Sequence, residues 1–245
     1  MRQLRFYIPF SLELNHQYDL PESTARHMSR VLRLNKGDEV TLFNGDNHEY
    51  SAQLTDVSKK AVSVLIAGKL LVDRESSLKT HLLQSLSKGD KMETTIQKAV
   101  ELGVSAVTPV SSERSNVTLT GQRLEKKMSH WQGVIHSACE QSGRNVAPEL
   151  NKLSSLAELL GALKGINELK LILSPHCSAD LKSVERPLGE VYVLIGPEGG
   201  LSDEEMAYAQ ACGFVAVKAG PRVLRTETAG PAILSMLQLL WGDFA

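Results

Sequence analysis

Residues 191–205 constrain the fold more than any other stretch of the chain. The apolar run V-Y-V-L-I leads straight into Gly196-Pro197-Glu198-Gly199-Gly200, and Ser202-Asp203-Glu204-Glu205 follows at once. A short apolar run bounded by glycine and proline predicts a strand. Ser202 at an N-cap with Glu205 three residues on forms a capping box, so a helix starts directly after the loop and runs to Gly213. A strand, a rigid loop and a helix in that order predict an α/β unit of a largely parallel sheet, whose ligands bind at the carboxyl ends of the strands.

The pattern then repeats. Phe214 to Lys218 predicts a strand, followed by the loop Ala219-Gly220-Pro221-Arg222-Val223-Leu224-Arg225 and a last helix whose apolar side is Ala232, Ile233, Met236, Leu237 and Leu240. Thr226 or Thr228 is expected to cap that helix, with Pro231 in its first turn. Glycine lets backbone approach a ligand closely, and proline removes loop freedom that binding would otherwise cost. Two such loops in succession predict a small-molecule cradle. The spacing excludes two nucleotide readings, because G-P-E-G-G lacks G-x-G-x-x-G and no G-K-[ST] follows it.

Upstream, the same alternation continues. His81 to Leu86 predicts a strand, Met92, Ile96, Ala99 and Val100 one side of a helix ended by Gly103, and Val104 to Val110 the next strand. A long helix from about Gln122 to Ser142 carries Leu124, Met128, Trp131, Ile135, Ala138 and Cys139 on one stripe, so Trp131 belongs to the core. A helix over 154–163 and a strand from Leu169 to Leu173 come next. Glu113 and Arg114 after a strand, and Glu140, Gln141 and Arg144 at a helix end, are consistent with a substrate site. His136 and His176 have no sequence neighbour at ligand spacing and carry no assigned role.

The first 70 residues follow a different pattern: a strand at Leu4 to Phe10, a helix from Glu22 to Leu32, then short strands from Glu39 onward, with a turn at Asn44-Gly45-Asp46-Asn47. These predict a small β-barrel domain, a type that commonly binds nucleic acid through one face and its loops. Arg26, Arg30 and Arg33 fall on one helix face, with His27 and Lys36 beside them. Judged alone, that row is what a solvated helix face presents. Gly68 to Lys79 shows no sustained period, which sets domains of 1–72 and 73–245.

Composition closes off some classes. A net charge of -1 does not mark a bulk polyanion binder, so any RNA contact must come from charges gathered on one face. Three distant cysteines without C-x-x-C or a His/Cys spacing predict reduced thiols, no disulfide and no metal. The opening M-R-Q-L-R-F-Y-I-P-F lacks an apolar leader core, and no run reaches the ~18 to 20 apolar residues of a membrane span, so the expected location is cytoplasmic.

The strings L-I-G-P-E-G-G-L-S-D-E-E and G-P-R-V-L-R-T-E-T-A, with K-M-E-T-T-I-Q-K-A-V-E-L-G-V, A-C-E-Q-S-G-R and H-M-S-R-V-L-R-L-N-K-G-D, closely resemble the RsmE family of ribosomal RNA methyltransferases in the SPOUT superfamily. The resemblance spans almost the whole chain; it departs at Ala219, where leucine is expected. It implies an α/β fold: a small N-terminal PUA-like β-barrel domain that binds RNA, joined to a C-terminal SPOUT domain threaded as a trefoil knot. It further implies S-adenosylmethionine bound in the knot, a homodimer, and methylation of N3 of a uridine in small-subunit (16S) ribosomal RNA.

On that resemblance, Leu173, Ile195, Gly196, Gly200, Ala219, Gly220 and Leu224 are the expected cofactor-binding positions. Glu198 and Glu227 are the candidates for the base that takes the uridine N3 proton, and Arg225 for the cation that stabilises the uridinate, with Arg222 as its alternate. Each glutamate also has a structural reading: Glu198 could satisfy loop amides, and Arg225 could pair with Glu227. RNA contacts are expected from Arg26, Arg30, Arg33, Arg114, Arg144 and Arg222, which turns the arginine row from a solvated face into a phosphate-binding one. Three rivals remain at this level: ribose 2′-O methylation, a non-catalytic RNA-binding adaptor, and a nucleotide-binding metabolic enzyme.

Overall fold

The computed structural model describes residues 4–177 and 179–244, so the first three residues of the opening stretch lie outside it. The chain divides into two units, Met1–Glu75 with His136–Ala147, and Ser76–Ile135 with Pro148–Ala245.

In the first unit β1 (Arg5–Tyr7), β2 (Gln17–Asp19), β3 (Glu39–Phe43), β4 (His48–Val57) and β5 (Val62–Leu71) form one sheet in the order β1-β3-β4-β5-β2. Only β1 and β3 run parallel. Period-two alternation puts Tyr50, Ala52 and Leu54 of β4 and Val62, Val64 and Ile66 of β5 in one buried cluster with Phe6, Ile8 and Met28. The short strand β2 escapes a sequence reading: at three residues on the sheet edge, with only Tyr18 turned partly inward, it shows no alternation to detect.

The predicted helix covers nearly its expected length but changes form within it. α1 (Glu22–Arg26) widens into a π-helical turn over His27–Val31, closed by Leu32 N–H to the His27 carbonyl at 3.0 Å. The wider turn keeps Ala25 and Met28 fully buried together. Arg33 then takes the left-handed conformation with φ 56°, so the three arginines do not ride one regular helix face.

Unit 2 is parallel throughout. Its elements are β6 (Thr80–Ser85), α2 (Lys91–Glu101), β7 (Ala106–Ser111), α3 (Gly121–Ser142), β8 (Glu149–Leu150), β9 (Ser154–Ser155), α4 (Leu156–Leu163), β10 (Leu169–Leu173), β11 (Val191–Ile195), α5 (Asp203–Ala211), β12 (Val215–Val217) and α6 (Thr226–Trp241). The sheet order is β12-β10-β11-β6-β7-β8, and β9 also pairs with β7. Alternate side chains settle the layers. Leu83, Ile172 and Leu194 pack with Leu156 and Leu160 of α4, Ala209 of α5 and Cys212 just after it on one face. Leu82 and Gln84 point to the other face, where Gly230 of α6 lies so close that a Cβ there would sit 3.3 Å from Gln84 Oε1 and from Thr95 Cγ2 of α2.

α3 starts in unit 2, yet its last residues belong to unit 1, which no period in the sequence announces. Polar pairs hold them there. Arg5 donates to Asn145 Oδ1 at 2.6 Å and to the Gly143 carbonyl at 3.2 Å, Tyr7 N–H donates to Glu140 Oε1 at 3.0 Å, and the Tyr7 ring stacks on His136 with centroids 3.8 Å apart.

Candidate active site

Because β10, β11 and β12 run parallel side by side, their carboxyl ends release three loops on one edge of the sheet: 174–177, 196–202 and 219–225. These loops and the start of α6 enclose a cavity of about 990 Å³, which lies wholly in unit 2. Leu173, Ile195, Val223 and Leu224 give it apolar walls, and glycine backbone lines the space between them.

The first loop depends on its glycines. Gly200 N–H closes a turn onto the Pro197 carbonyl at 2.9 Å, with φ 69° at Gly200. A Cβ on Gly196 would come 3.3 Å from both Leu201 Cγ and its backbone nitrogen, so only glycine fits without movement there. The loop's exit is fixed by the predicted capping box: Glu205 N–H donates to Ser202 Oγ at 3.3 Å and Ser202 N–H to Glu205 Oε2 at 3.0 Å. The other oxygen of Glu205 accepts Glu113 N–H at 2.8 Å, which ties in the loop after β7.

The second loop is secured differently from the expectation. Arg225 occupies the N-cap of α6 without a side-chain cap, and Thr226 is the first helical residue. Its hydroxyl donates to the Gly196 carbonyl at 2.9 Å and accepts from the buried Gln84 Nε2 at 2.9 Å. Thr226 thus joins the two loops instead of capping a helix. Pro231 stands inside α6, beyond the first turn, a position where it leaves the carbonyl four residues earlier without its helical donor.

Four charged side chains meet on the cavity wall. Lys91, at the start of α2, places Nζ 2.9 Å from Glu198 Oε1 and 3.9 Å from Glu227 Oε2, while Arg225 lies 4.0 Å from Glu227 Oε1. Partial burial raises the Glu198 pKa, but hydrogen bonds from Lys91 and from backbone N–H groups outweigh it and hold the carboxyl below the ordinary carboxylate value. Lys91 opens one of the quoted motif strings but receives no role from the sequence, since a lysine after Asp90 differs in no local way from any helix-start charge.

The structure brings together Leu173, Ile195, Gly196, Gly200, Ala219, Gly220 and Leu224 with Glu198, Arg222, Arg225, Glu227 and Arg114, all of them on this one cavity. His176, which carried no assigned role, lines it as well. Arg26, Arg30 and Arg33 are exposed in unit 1, where Arg26 pairs with Glu22 at 2.5 Å. Arg144 does not belong with either group. It is 5% exposed, and its guanidinium holds both oxygens of Glu75, so it is a structural residue and not a free phosphate ligand. Glu140 is likewise internal, with burial pushing its carboxyl pKa up.

Comparisons with known proteins agree with this geometry. A family model described as an RNA methyltransferase domain matches residues 74–238, and one described as an RNA methyltransferase PUA domain matches residues 20–67. The ribosomal RNA small subunit methyltransferase E of Buchnera aphidicola from Schizaphis graminum is 34% identical over 241 residues, 98% of each chain. A Legionella pneumophila methyltransferase solved in complex with the cofactor SAM is 43% identical over 100% of both chains, with a TM-score of 0.96. The Neisseria gonorrhoeae ribosomal RNA small subunit methyltransferase E, solved bound to S-adenosyl methionine, is 39% identical over 100% of both chains, with a TM-score of 0.91.

Proposed function

The chain belongs to the ribosomal RNA small subunit methyltransferase E family, and we propose that it transfers a methyl group from S-adenosylmethionine to N3 of a uridine in small-subunit ribosomal RNA. The observation that carries this reading is the cavity itself: glycine backbone and apolar walls at three strand ends, with the carboxylates of Glu198 and Glu227 and the guanidinium groups of Arg114, Arg222 and Arg225 on its wall.

The residues fit that cofactor. Its adenine needs apolar walls and backbone hydrogen-bond partners, which Leu173, Ile195, Leu224 and the loops at Gly196, Gly200, Ala219 and Gly220 supply. A sulfonium group calls for nearby negative charge rather than a phosphate cradle, and Glu198 and Glu227 provide it. When bound, the cofactor supplies an electrophilic methyl group.

The chain's own contribution is positioning and proton management. The joined loops hold the acceptor base in line and keep water away, a role that can lower a barrier by several kcal/mol, about 7 to 11 in the best intramolecular systems. The N3–H of uridine is a weak acid, so a carboxylate from the Glu198 and Glu227 pair takes its proton. Arg225, with Arg222 on the same cavity, offers a guanidinium to the carbonyl edge of the base as negative charge develops there. The exposed Arg26, Arg30 and Arg33 hold RNA phosphates from unit 1, and Arg114 does so beside the cavity.

Several features support the remaining parts of the reading. α5 and α6 pack on opposite faces of the sheet while β12 sits beyond β10, which supports the knotted threading implied by the family. Exposed Leu239, Leu240 and Phe244 near the end of α6 offer apolar surface for a homodimer. Among the described residues no helix is long and apolar enough to cross a membrane, and a ribosomal substrate fits a cytoplasmic location.

The test is a methylation assay on small ribosomal particles from cells lacking this protein, with nucleoside mass analysis after digestion. N3-methyluridine at one position is the expected product. A ribose 2′-O-methyl product would transfer the protein to another chemistry, and no methylation of any uridine would refute the proposal.

A further inference from the structure

We propose that Lys91 is a positioning residue that commits Glu198 to a structural ion pair and so leaves Glu227 as the proton acceptor. This rests on the methyl-transfer reading above and decides between the two carboxylates it leaves open.

The two glutamates face the same ammonium on unequal terms. Glu198 Oε1 accepts Lys91 Nζ at 2.9 Å and Lys88 N–H at 3.4 Å, so this oxygen is engaged by two groups of the protein. Glu227 is different: among the described residues neither of its oxygens accepts a hydrogen bond, and its nearest cations stand 3.9 and 4.0 Å away, beyond bonding reach. Its Oε2 is buried on the Lys91 side, and Oε1 is the oxygen nearest Arg225. A largely buried carboxylate with no donor is rare in a folded protein and marks a place where a ligand's N–H is expected. Glu227 is also the second residue of α6, in its first turn.

Lys91 makes that division possible. Two carboxylates on one cavity wall repel each other, and the Lys91 ammonium, which lies near both, offsets that repulsion. The charged groups facing Glu227 are Lys91 from α2, Glu198 from the glycine loop and Arg225 from the loop before α6; Arg222, Arg114 and His176 share the cavity. With Lys91 neutralising Glu198, Glu227 stays free to act. The step then balances: the N3–H proton passes to a Glu227 oxygen, N3 bonds to the methyl carbon, and the carbon–sulfur bond breaks with its electron pair left on sulfur. The negative charge of Glu227 and the positive charge of the sulfonium disappear together.

The experiment compares the wild type with Glu227→Gln, Glu198→Gln, Lys91→Met and Lys91→Arg. Single-turnover methyl transfer to unmodified small ribosomal particles is followed against pH, with cofactor binding by calorimetry and melting temperature measured alongside. Glu227→Gln is expected to slow transfer about 10²- to 10⁴-fold, the usual range for a general base, and to abolish the acid limb of the rate profile. Glu198→Gln keeps that limb. Lys91→Met moves the limb toward higher pH without loss of cofactor affinity, and Lys91→Arg restores it. An acid limb that survives Glu227→Gln, or one lost in Glu198→Gln, overturns the assignment. So does a Lys91→Met variant that loses stability and cofactor affinity while its limb stays in place. A wild type that transfers no methyl group overturns the underlying function and this inference with it, whereas the variant results strike the inference alone.

Discussion

Replacing Thr226 with valine tests the claim that the two cavity loops are one mechanical unit. Valine keeps the branched shape of threonine, so packing changes little, while both hydrogen bonds of the hydroxyl vanish. The Gly196 carbonyl loses its donor at 2.9 Å, and Gln84 Nε2 loses an acceptor at 2.9 Å, keeping only the Ser85 carbonyl at 3.2 Å. Thr226 is 6% exposed and Gln84 is fully buried, so water cannot freely replace either bond. Each bond contributes about 0.5–1.5 kcal/mol net, and a buried group left without a partner costs about 1–3 kcal/mol, so a loss of about 2–4 kcal/mol is expected. The only two tryptophans, Trp131 and Trp241, both lie in the unit that carries Thr226, so fluorescence during urea unfolding follows that unit. The expected result is a lower midpoint at unchanged slope, together with weaker S-adenosylmethionine binding, because the Gly196 loop loses its tie to α6. Thr226→Ser should recover most of the loss. A valine variant within about 0.5 kcal/mol of wild type, the range of an indifferent surface change, would refute the idea that this hydroxyl holds the loops together.

Three further outcomes follow from the same geometry. Because the Glu198 pKa is lowered in the folded protein, its ion pair stabilises the fold above the ordinary carboxylate range and loses that effect as pH falls through the lowered value; Glu198→Gln should therefore melt earlier than wild type at pH 7, and the two melting curves should converge in acid. A gap that persists unchanged at low pH would contradict this. Burial pushes the Cys139 thiol up to about 12, whereas Cys177 is partly exposed on the cavity wall, so a thiol reagent at mildly alkaline pH should label Cys177 first, leave Cys139 unlabelled, and react more slowly once S-adenosylmethionine is added. Labelling of Cys177 that the cofactor does not slow would argue against its place in the site. Finally, Arg30→Ala should weaken RNA binding and lower the slope of log affinity against log salt by about 1, while calorimetry shows unchanged cofactor affinity; an unaltered slope would remove Arg30 from the RNA surface.

What the sequence disclosed, and what it hid, divides by the range of the forces involved. β11, its glycine loop and the Ser202 to Glu205 box were legible because each signal is local: apolar run, turn residues, and a cap whose partners are three residues apart. The residues that line the cavity were also legible, through motif strings that hold both loops. Arg144 was misassigned because its partner, Glu75, is 69 residues away, and no local feature separates a buried guanidinium from an exposed one. The π-helical turn after Arg26 was missed for a related reason: the burial of Ala25 and Met28 against the sheet sets the helix width, and that demand comes from the other strands. Thr226 and Lys91 mark the limit most sharply. Read locally, one is a helix cap and the other a helix-start charge. Only when α2, the glycine loop and α6 stand side by side does Thr226 become the link between two loops and Lys91 the cation that sets two carboxylates apart. The chemistry of this site therefore depends on tertiary contacts between residues 30 to 142 positions apart, in elements whose individual identities were already plain.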